Sequence, residues 1–452
     1  MPGRCGSPPR TLGAMEQEAA GPAAPPPRTG GVVDRTFRSL RVRNFRLFLG
    51  GQLLSGIGTW MQWIAAPWLV LELTDSGVAL GVDTALGALP ILLFGAWGGV
   101  IADRFDNRRI QVWTQSLYAV LAFVLFALDA TEVVRVWHVY VLSFLTGIVG
   151  AVDMPTRQTF YLEMVGPEDL TNAMSLNTAT FTGSRIVGPV IAGVMVGTVG
   201  TAAVFLVNGV TYLAVVVALV AMRTAEFHPR ERAAKARGQI REAVRYVRDT
   251  SALRLPMVLM AVVFTFSFNF AVLVPLMAVR SFDGDAGTFG AFLALMGIGS
   301  LIGALVLAAR SSRSTARRLS WFAVALGGLT LLLAVAPSLP AALVVTPFAG
   351  AAGIGFAITG NSTLQLNSAP ELRGRVMALY TVVFIGSTPI GGPIAGWVGE
   401  HLGPRIGLGG GAVLAVVAGL STILILRERP SSAEDVEGTA AANPGASEPS
   451  RT

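Results

Sequence analysis

Residues 77–109 read GVALGVDTALGALPILLFGAWGGVIADRFDNRR. From Gly77 to Ala102 the run carries one ionisable side chain, Asp83. It then ends abruptly in Asp103-Arg104, with Arg108-Arg109 just beyond. A helix of about 20 apolar residues spans the hydrocarbon core of a bilayer, and basic loops mark where such helices return to water. Runs of this kind recur along the whole chain, near 47–71, 78–101, 109–128, 137–157, 172–197, 201–222, 255–279, 286–308, 319–336, 341–362, 374–398 and 406–426. That recurrence sets aside the rival reading, a large soluble enzyme with a very apolar core. Backbone groups in lipid must bond within their own segment, so the runs should be helices; the short alternating segments of a barrel are not seen. The expected fold is an all-α integral membrane protein with twelve transmembrane helices.

Composition agrees. Of 452 residues, 52% are hydrophobic and 13% charged, about half the charged fraction of a soluble domain. The net charge of +7 raises nucleic-acid binding as a possibility, but the arginines sit in short loops, where they report topology instead. With both termini inside, the external loops hold only Arg135, Arg280 and Arg405, while the other loop arginines and the single lysine, Lys235, are internal. Both termini are therefore expected in the cytoplasm. The one cysteine, Cys5, and three scattered histidines, His138, His228 and His401, give no basis for a disulfide or a metal site. No cofactor is expected. Residues 1–44 lack an apolar signal core and read as a disordered cytoplasmic tail, with Met1 and Met15 both open as the start. Residues 428–452 read as a second tail.

The spans divide six and six, as bundles at 45–222 and 255–427 joined by a cytoplasmic linker at 223–254. Within the linker, Gln239 to Arg248 carries an apolar stripe of Ile240, Val244 and Val247, the pattern of an amphipathic helix lying on a membrane surface. The halves repeat: Gly188-Pro189 matches Gly392-Pro393 at an offset of 204 residues, and Gly99 matches Gly303 at the same offset. Two six-helix pseudo-repeats are the trace of a transporter that rocks around a central site.

The loop Gly99-Val-Ile-Ala-Asp103-Arg104-Phe-Asp106-Asn-Arg108-Arg109 resembles the signature loop of the major facilitator superfamily, departing from it at Asp106, where glycine is usual. The resemblance implies that Asp103 latches the cytoplasmic side by contacting the start of the eleventh span, with Arg157 as an ionic partner. The equivalent loop of the second half keeps charge and loses the acid, reading Arg310-Ser311-Ser312-Arg313-Ser314 with Arg317 and Arg318. Span five carries Gly183-Ser184-Arg185-Ile-Val-Gly188-Pro189-Val-Ile-Ala-Gly193, similar to the glycine-proline element of export-type members. Asp153-Met-Pro155-Thr-Arg157-Gln158, Trp60-Met61-Gln62-Trp63 and Pro67-Trp68-Leu69 resemble the enterobactin-exporter-like branch, which includes siderophore exporters and relatives of macrolide efflux pumps. The likeness runs from about residue 37 to 427 and implies the major facilitator fold and export.

Polar residues inside spans should face protein or an aqueous path. In span one, Gln52, Ser55, Thr59 and Gln62 form one stripe, lining either the substrate pathway or a helix–helix contact. Asn269 in span seven is a weaker pathway candidate. Arg185 is the one deeply embedded cation. It either meets an anionic substrate, or alternates partners during rocking, or bonds permanently to carbonyls near span eight or to Asp83. Proton coupling needs a carboxyl alternately buried and wetted; span one holds none, leaving Asp83 first and Asp153 second. The absence of a Gly-x-x-x-x-Gly-Lys-Ser/Thr loop excludes ATP drive by this chain. The expected function is proton-driven export of a small molecule, a siderophore or a drug, by a monomer in the bacterial inner membrane. A multidrug or macrolide pump is the alternative, and a lipid-modifying membrane enzyme, for which clustered acids are lacking, a remote one.

Overall fold

Every long apolar run forms helix, as backbone that cannot reach water requires, and no strand occurs among the described residues. The computed structural model describes residues 36–228, 239–310, 314–370 and 372–427. In chain order these form α1 (Arg43–Thr74), α2 (Gly77–Arg104), α3 (Asn107–Ala130), α4 (Val136–Val220), α5 (Gln239–Asp249), α6 (Ser251–Phe266), α7 (Phe270–Phe282), α8 (Ala286–Ala309), α9 (Ala316–Ala334), α10 (Leu339–Leu366), α11 (Arg373–Gly386), α12 (Thr388–His401) and α13 (Pro404–Arg427). Nine helical stretches among the described residues are long and apolar enough to cross a membrane.

Helix α4 is not one rod. Gly166 (φ 72°) and Gly200 (φ 83°) take left-handed dihedrals that glycine alone adopts freely. They divide it into legs 136–165, 167–199 and 201–220. The runs expected as single spans at 255–279 and 374–398 are each one candidate membrane span, with its helix interrupted part-way. Asn269 Nδ2 donates to Thr265 O (2.6 Å), and Ser387 Oγ donates to Phe384 O (2.7 Å), both local side-chain bonds that compete with the helix ladder. The two interruptions meet, because Gly391 packs against Thr265 O and the Asn269 amide.

Helices α1, α2 and α3 pack on α4, while α8 with α10 and α9 with α10 and α13 form the other large contacts. Two junctions join these groups, α2 with α12 and α8 with α4. Both are made by glycine. A Cβ on Gly77 would lie 2.7 Å from Gly396 O, and one on Gly81 would strike Gly392 O. Likewise, a Cβ on Gly193 would lie 3.1 Å from Gly287 Cα, and one on Gly290 would lie 2.6 Å from Pro189 O. The packing pairs Gly193 with Gly396 and Pro189 with Gly392, one residue short of the sequence offset of 204. Matching the two Gly-Pro dipeptides hides a one-residue shift that the flanking Ala192-Gly193 and Ala395-Gly396 reveal.

These contacts lie at one end of the bundle, beside Asp75, Asp285 and Glu400. There Glu400 accepts from Ser76 Oγ (2.5 Å) and from the Val78 amide (2.8 Å), so a carboxylate of α12 caps α2. Arg280 donates to Asp75 O. Toward the opposite end, beside Asp103, a Cβ on Gly95, Gly99 or Gly374 would meet nothing within 4 Å.

Two expectations change. Residues 39–44, read as tail, are folded, with Ser39 Oγ donating to Asn172 Oδ1 (2.7 Å) and Asp169 O (3.2 Å). The stripe of α5 does not all face outward: Val247 is buried in the apolar core, Val244 is exposed, and Tyr246 Oη accepts from the Ala369 amide (3.1 Å). Met15, Cys5, residues 428–452, Ser311 to Arg313 and the Ile240 side chain lie outside the described residues.

Candidate functional site

A cavity of about 230 Å³ lies among α1, the middle leg of α4, the α6–α7 interruption, α8, α10 and α11. Its walls are aromatic, with Trp60 and Trp63 on one side and Phe268, Phe270 and Phe384 on the other. Among the described residues, Arg185 is the only charged one lining it; besides the indole N–H groups of the tryptophans, Ser300 is the only other polar side chain. The Ser300 hydroxyl is already committed, to Met296 O (2.8 Å) and Gly350 O (3.1 Å).

Gly188 places the arginine. A Cβ there would lie 2.8 Å from Ile57 O and 2.6 Å from Trp60 Cβ, so the leg sits directly on α1. Three residues earlier, Arg185 then stands with its guanidinium carbon 5.4 Å from the centre of the Trp60 ring, a cation–π arrangement. Its backbone meets α8, because a Cβ on Gly297 would lie 3.3 Å from Arg185 O. No hydrogen bond or ion pair is found for the guanidinium among the described residues. The permanent bond to carbonyls or to Asp83 is not made. Asp83 instead accepts from Ser143 Oγ (2.6 Å), buried and with no cation on it.

The polar stripe of α1 does not line this cavity. Gln52 Oε1 accepts from Arg157 (3.1 Å), Thr59 shares a hydrogen bond with Tyr212 (3.0 Å), and Gln62 Oε1 accepts from Asn208 (2.5 Å). Ser55 is buried. The stripe is thus a helix–helix contact inside the first bundle, where buried polar groups find partners. The cavity is faced by the residues between, Trp60 and Trp63. Both stand in the sequence motif, and their aromatic width was the available signal. Asn269 is bound to its own helix and does not line the cavity.

Asp153 is fully buried and bonded throughout. Its Oδ1 accepts from Gln111 (3.1 Å), Thr114 (2.7 Å) and Gln115 (3.0 Å), while Oδ2 pairs with Arg157. Arg157 therefore serves Asp153 and Gln52, not Asp103. In the signature loop, Asp106 caps α3 by accepting from the Arg109 amide (2.9 Å). This explains an acid where glycine is usual. Arg108 donates to Leu219 O (2.7 Å) and Val220 O (3.0 Å), closing the end of α4. Asp103 and Arg104 are exposed at this end.

A family model described as a transmembrane secretion effector matches residues 35–447. This chain belongs to that family, a family of major facilitator superfamily transporters. The chain is thus an integral, multi-pass membrane transporter and not an enzyme. It is 24% identical to a staphyloferrin A transporter of Staphylococcus aureus over 58% of this chain and 66% of that protein. To the multidrug efflux pump Tap of Mycolicibacterium fortuitum it is 28% identical over 78% of this chain and 90% of that protein. In fold it is similar to a bacterial homologue of the human lysosomal transporter Spinster, solved inward-facing and unoccupied, with a TM-score of 0.69 at 13% identity. That match covers 89% of this chain and 100% of the other.

Proposed function

We propose that this protein exports a small molecule, a siderophore or a drug, by proton-driven alternating access. It does so as a monomer of twelve spans in two six-helix pseudo-repeats. The observation that carries the reading is where the two helix groups touch. Glycines hold α2 to α12 and α8 to α4 at the Asp75 end, whereas Gly95, Gly99 and Gly374, toward the Asp103 end, stand clear. A central cavity lies between. Small residues are what let helices approach in lipid, so a set spaced for contact but standing clear is a reserve for the opposite state. Loop arginines support a cytoplasmic location for the Asp103 end and both termini, and with it the reading of this arrangement as an inward-facing state of an inner-membrane protein. In the outward-facing state Asp103 and Arg104 would latch against the start of α11.

Asp83 is the proposed proton-coupling group. It is a buried carboxyl held by one hydroxyl and no cation, whereas Asp153 is pinned by Arg157 and three further donors. The named relatives, a staphyloferrin A transporter and a multidrug pump, support export and leave both substrate readings standing.

Two measurements test this. Spin labels at Arg104 and Arg373, and separately at Asp75 and His401, should report opposite distance changes as pH is varied. Movement in the same sense, or none, refutes alternating access. Cells of an efflux-deficient strain should export a catecholate siderophore or a macrolide in a protonophore-sensitive way. Net uptake, or export indifferent to the protonophore, refutes the direction or the coupling.

A further inference from the structure

We infer that the central cavity selects small aromatic monoanions: a carboxylate or sulfonate on Arg185, with a one- or two-ring body between the tryptophans and the phenylalanines. This deepens the transport reading and rests on it.

Charge decides first. Among the described residues Arg185 is the only charged one on the walls, and Ser300, the one hydroxyl, is spent on two carbonyls. The comparison with Arg157 is telling. Where an embedded arginine serves structure, this chain gives it a carboxylate and an amide oxygen, Asp153 and Gln52. Arg185 has the Trp60 face alone. A guanidinium presents five donors in a planar fork that matches an oxyanion two bonds at a time. No wall carboxylate exists to neutralise a bound cation. A second anionic group on the ligand would be buried against Phe268, Phe270 or Phe384, which offer it no hydrogen bond.

Shape decides the rest. The Trp60 and Trp63 rings stand 5.2 Å apart at 50°, and Phe384 and Phe268 on the other wall are each fixed edge-on to Phe264, at 4.9 and 5.0 Å. Such rigid faces suit a planar ring. A cavity of about 230 Å³ has room for a planar bicycle.

The test uses the full-length protein in nanodiscs and calorimetric titration with four naphthalenes of one size. These are 2-naphthalenesulfonate, its neutral sulfonamide, 2-naphthylmethylammonium and 2,6-naphthalenedisulfonate. The monosulfonate should bind about tenfold or more tighter than the sulfonamide, the scale of a charged hydrogen bond, with the cation and dianion weaker than the monosulfonate. Equal affinities, or a preference for the cation, overturn the proposal without any variant. Arg185→Gln should reduce the monosulfonate to the affinity of the sulfonamide, while Arg185→Lys retains part of the preference. An unchanged ranking in Arg185→Gln overturns the role of the arginine. The same sulfonates in proteoliposomes with an imposed pH gradient separate the two readings. Ranked binding without movement upholds the site and sinks transport, whereas movement without ranking upholds transport and sinks the site.

Discussion

Substituting the two buried acids should separate structure from coupling. In Asp153→Asn, the Oδ1 position can still accept from Gln111, Thr114 and Gln115, but the amide nitrogen replaces the oxygen that pairs with Arg157. Breaking one partner of a buried pair costs about 3–5 kcal/mol. The Arg157 side chain is 33% exposed and keeps Gln52, whereas Asp153 is 0% exposed. The stranded arginine is therefore the cheaper survivor, and Asp153→Asn should cost about 3 kcal/mol, the lower end of that range. Arg157→Met strands the fully buried carboxylate and should cost about 4–5 kcal/mol, the upper end. The double variant should recover about 2 kcal/mol or more relative to the summed singles, because a pair removed whole leaves no orphaned charge. Asp83→Asn disturbs one hydroxyl bond and should cost about 1 kcal/mol or less, while abolishing the response of export to the pH gradient. Denaturant unfolding in mixed micelles gives the stabilities, and proteoliposome transport gives the coupling. Additivity of the Asp153 and Arg157 variants to within about 0.5 kcal/mol would refute the pairing argument. Normal pH-dependent export by Asp83→Asn would remove Asp83 from the mechanism.

Gly396→Leu puts a side chain onto Gly77 O and should hold the Asp75 end apart. Folded protein should remain, with export lost and the Asp75–His401 label distance long; unaltered export would sink the claim that this junction must close. Glu400→Gln keeps the geometry but weakens the cap on α2, since charge-assisted bonds are roughly twice as strong as neutral ones. The label distance should shift part-way toward the open value, and a population unchanged from wild type would exclude Glu400 as a closing contact. Asp285 caps α8, and the Thr288 amide donating to it (2.9 Å) holds its carboxyl below the ordinary aspartate range. With the folded value depressed, its contribution is complete above the unfolded value of about 3.9 and fades as pH falls through the lower folded value. Asp285→Ala should therefore cost about 1 kcal/mol at neutral pH and progressively less in strong acid; a loss that grows with acidity would contradict this.

The helical spans were legible because lipid imposes a single rule, a long apolar run with its backbone satisfied internally, and residues 77–109 obey it almost without exception. What the runs do not encode is interruption. Asn269 and Ser387 break their helices by local side-chain bonds that hydropathy cannot register, and the same two breaks bring Phe268 and Phe384 to the cavity wall. Amphipathic counting also left α1 undecided. Gln52, Thr59 and Gln62 form a polar stripe because the first bundle has a hydrogen-bonded interior, and the stripe's partners, Arg157, Tyr212 and Asn208, lie about 100 or more residues away in sequence. Position on a helix face says that polar groups share an environment, not which environment.

Arg185 shows the converse. Its cost in lipid made it conspicuous in sequence, yet three environments were equally open to it, and only packing chose among them. Gly188 brings its helix onto α1 beside Trp60, and Gly297 seats α8 on its backbone, so the guanidinium is held at the cavity by two glycines that themselves carry no chemistry. The first of them belongs to the glycine-proline element, which thereby links two jobs in one leg of α4. Gly188 positions the charge, and the adjacent Pro189, with Gly193 just over a turn further on, forms the junction with α8 that closes the Asp75 end. A rocking motion that opens this junction moves the helix bearing Arg185 relative to Phe268 and Phe384, so in the proposed cycle opening of the outer end and loosening of the anion site are the same displacement.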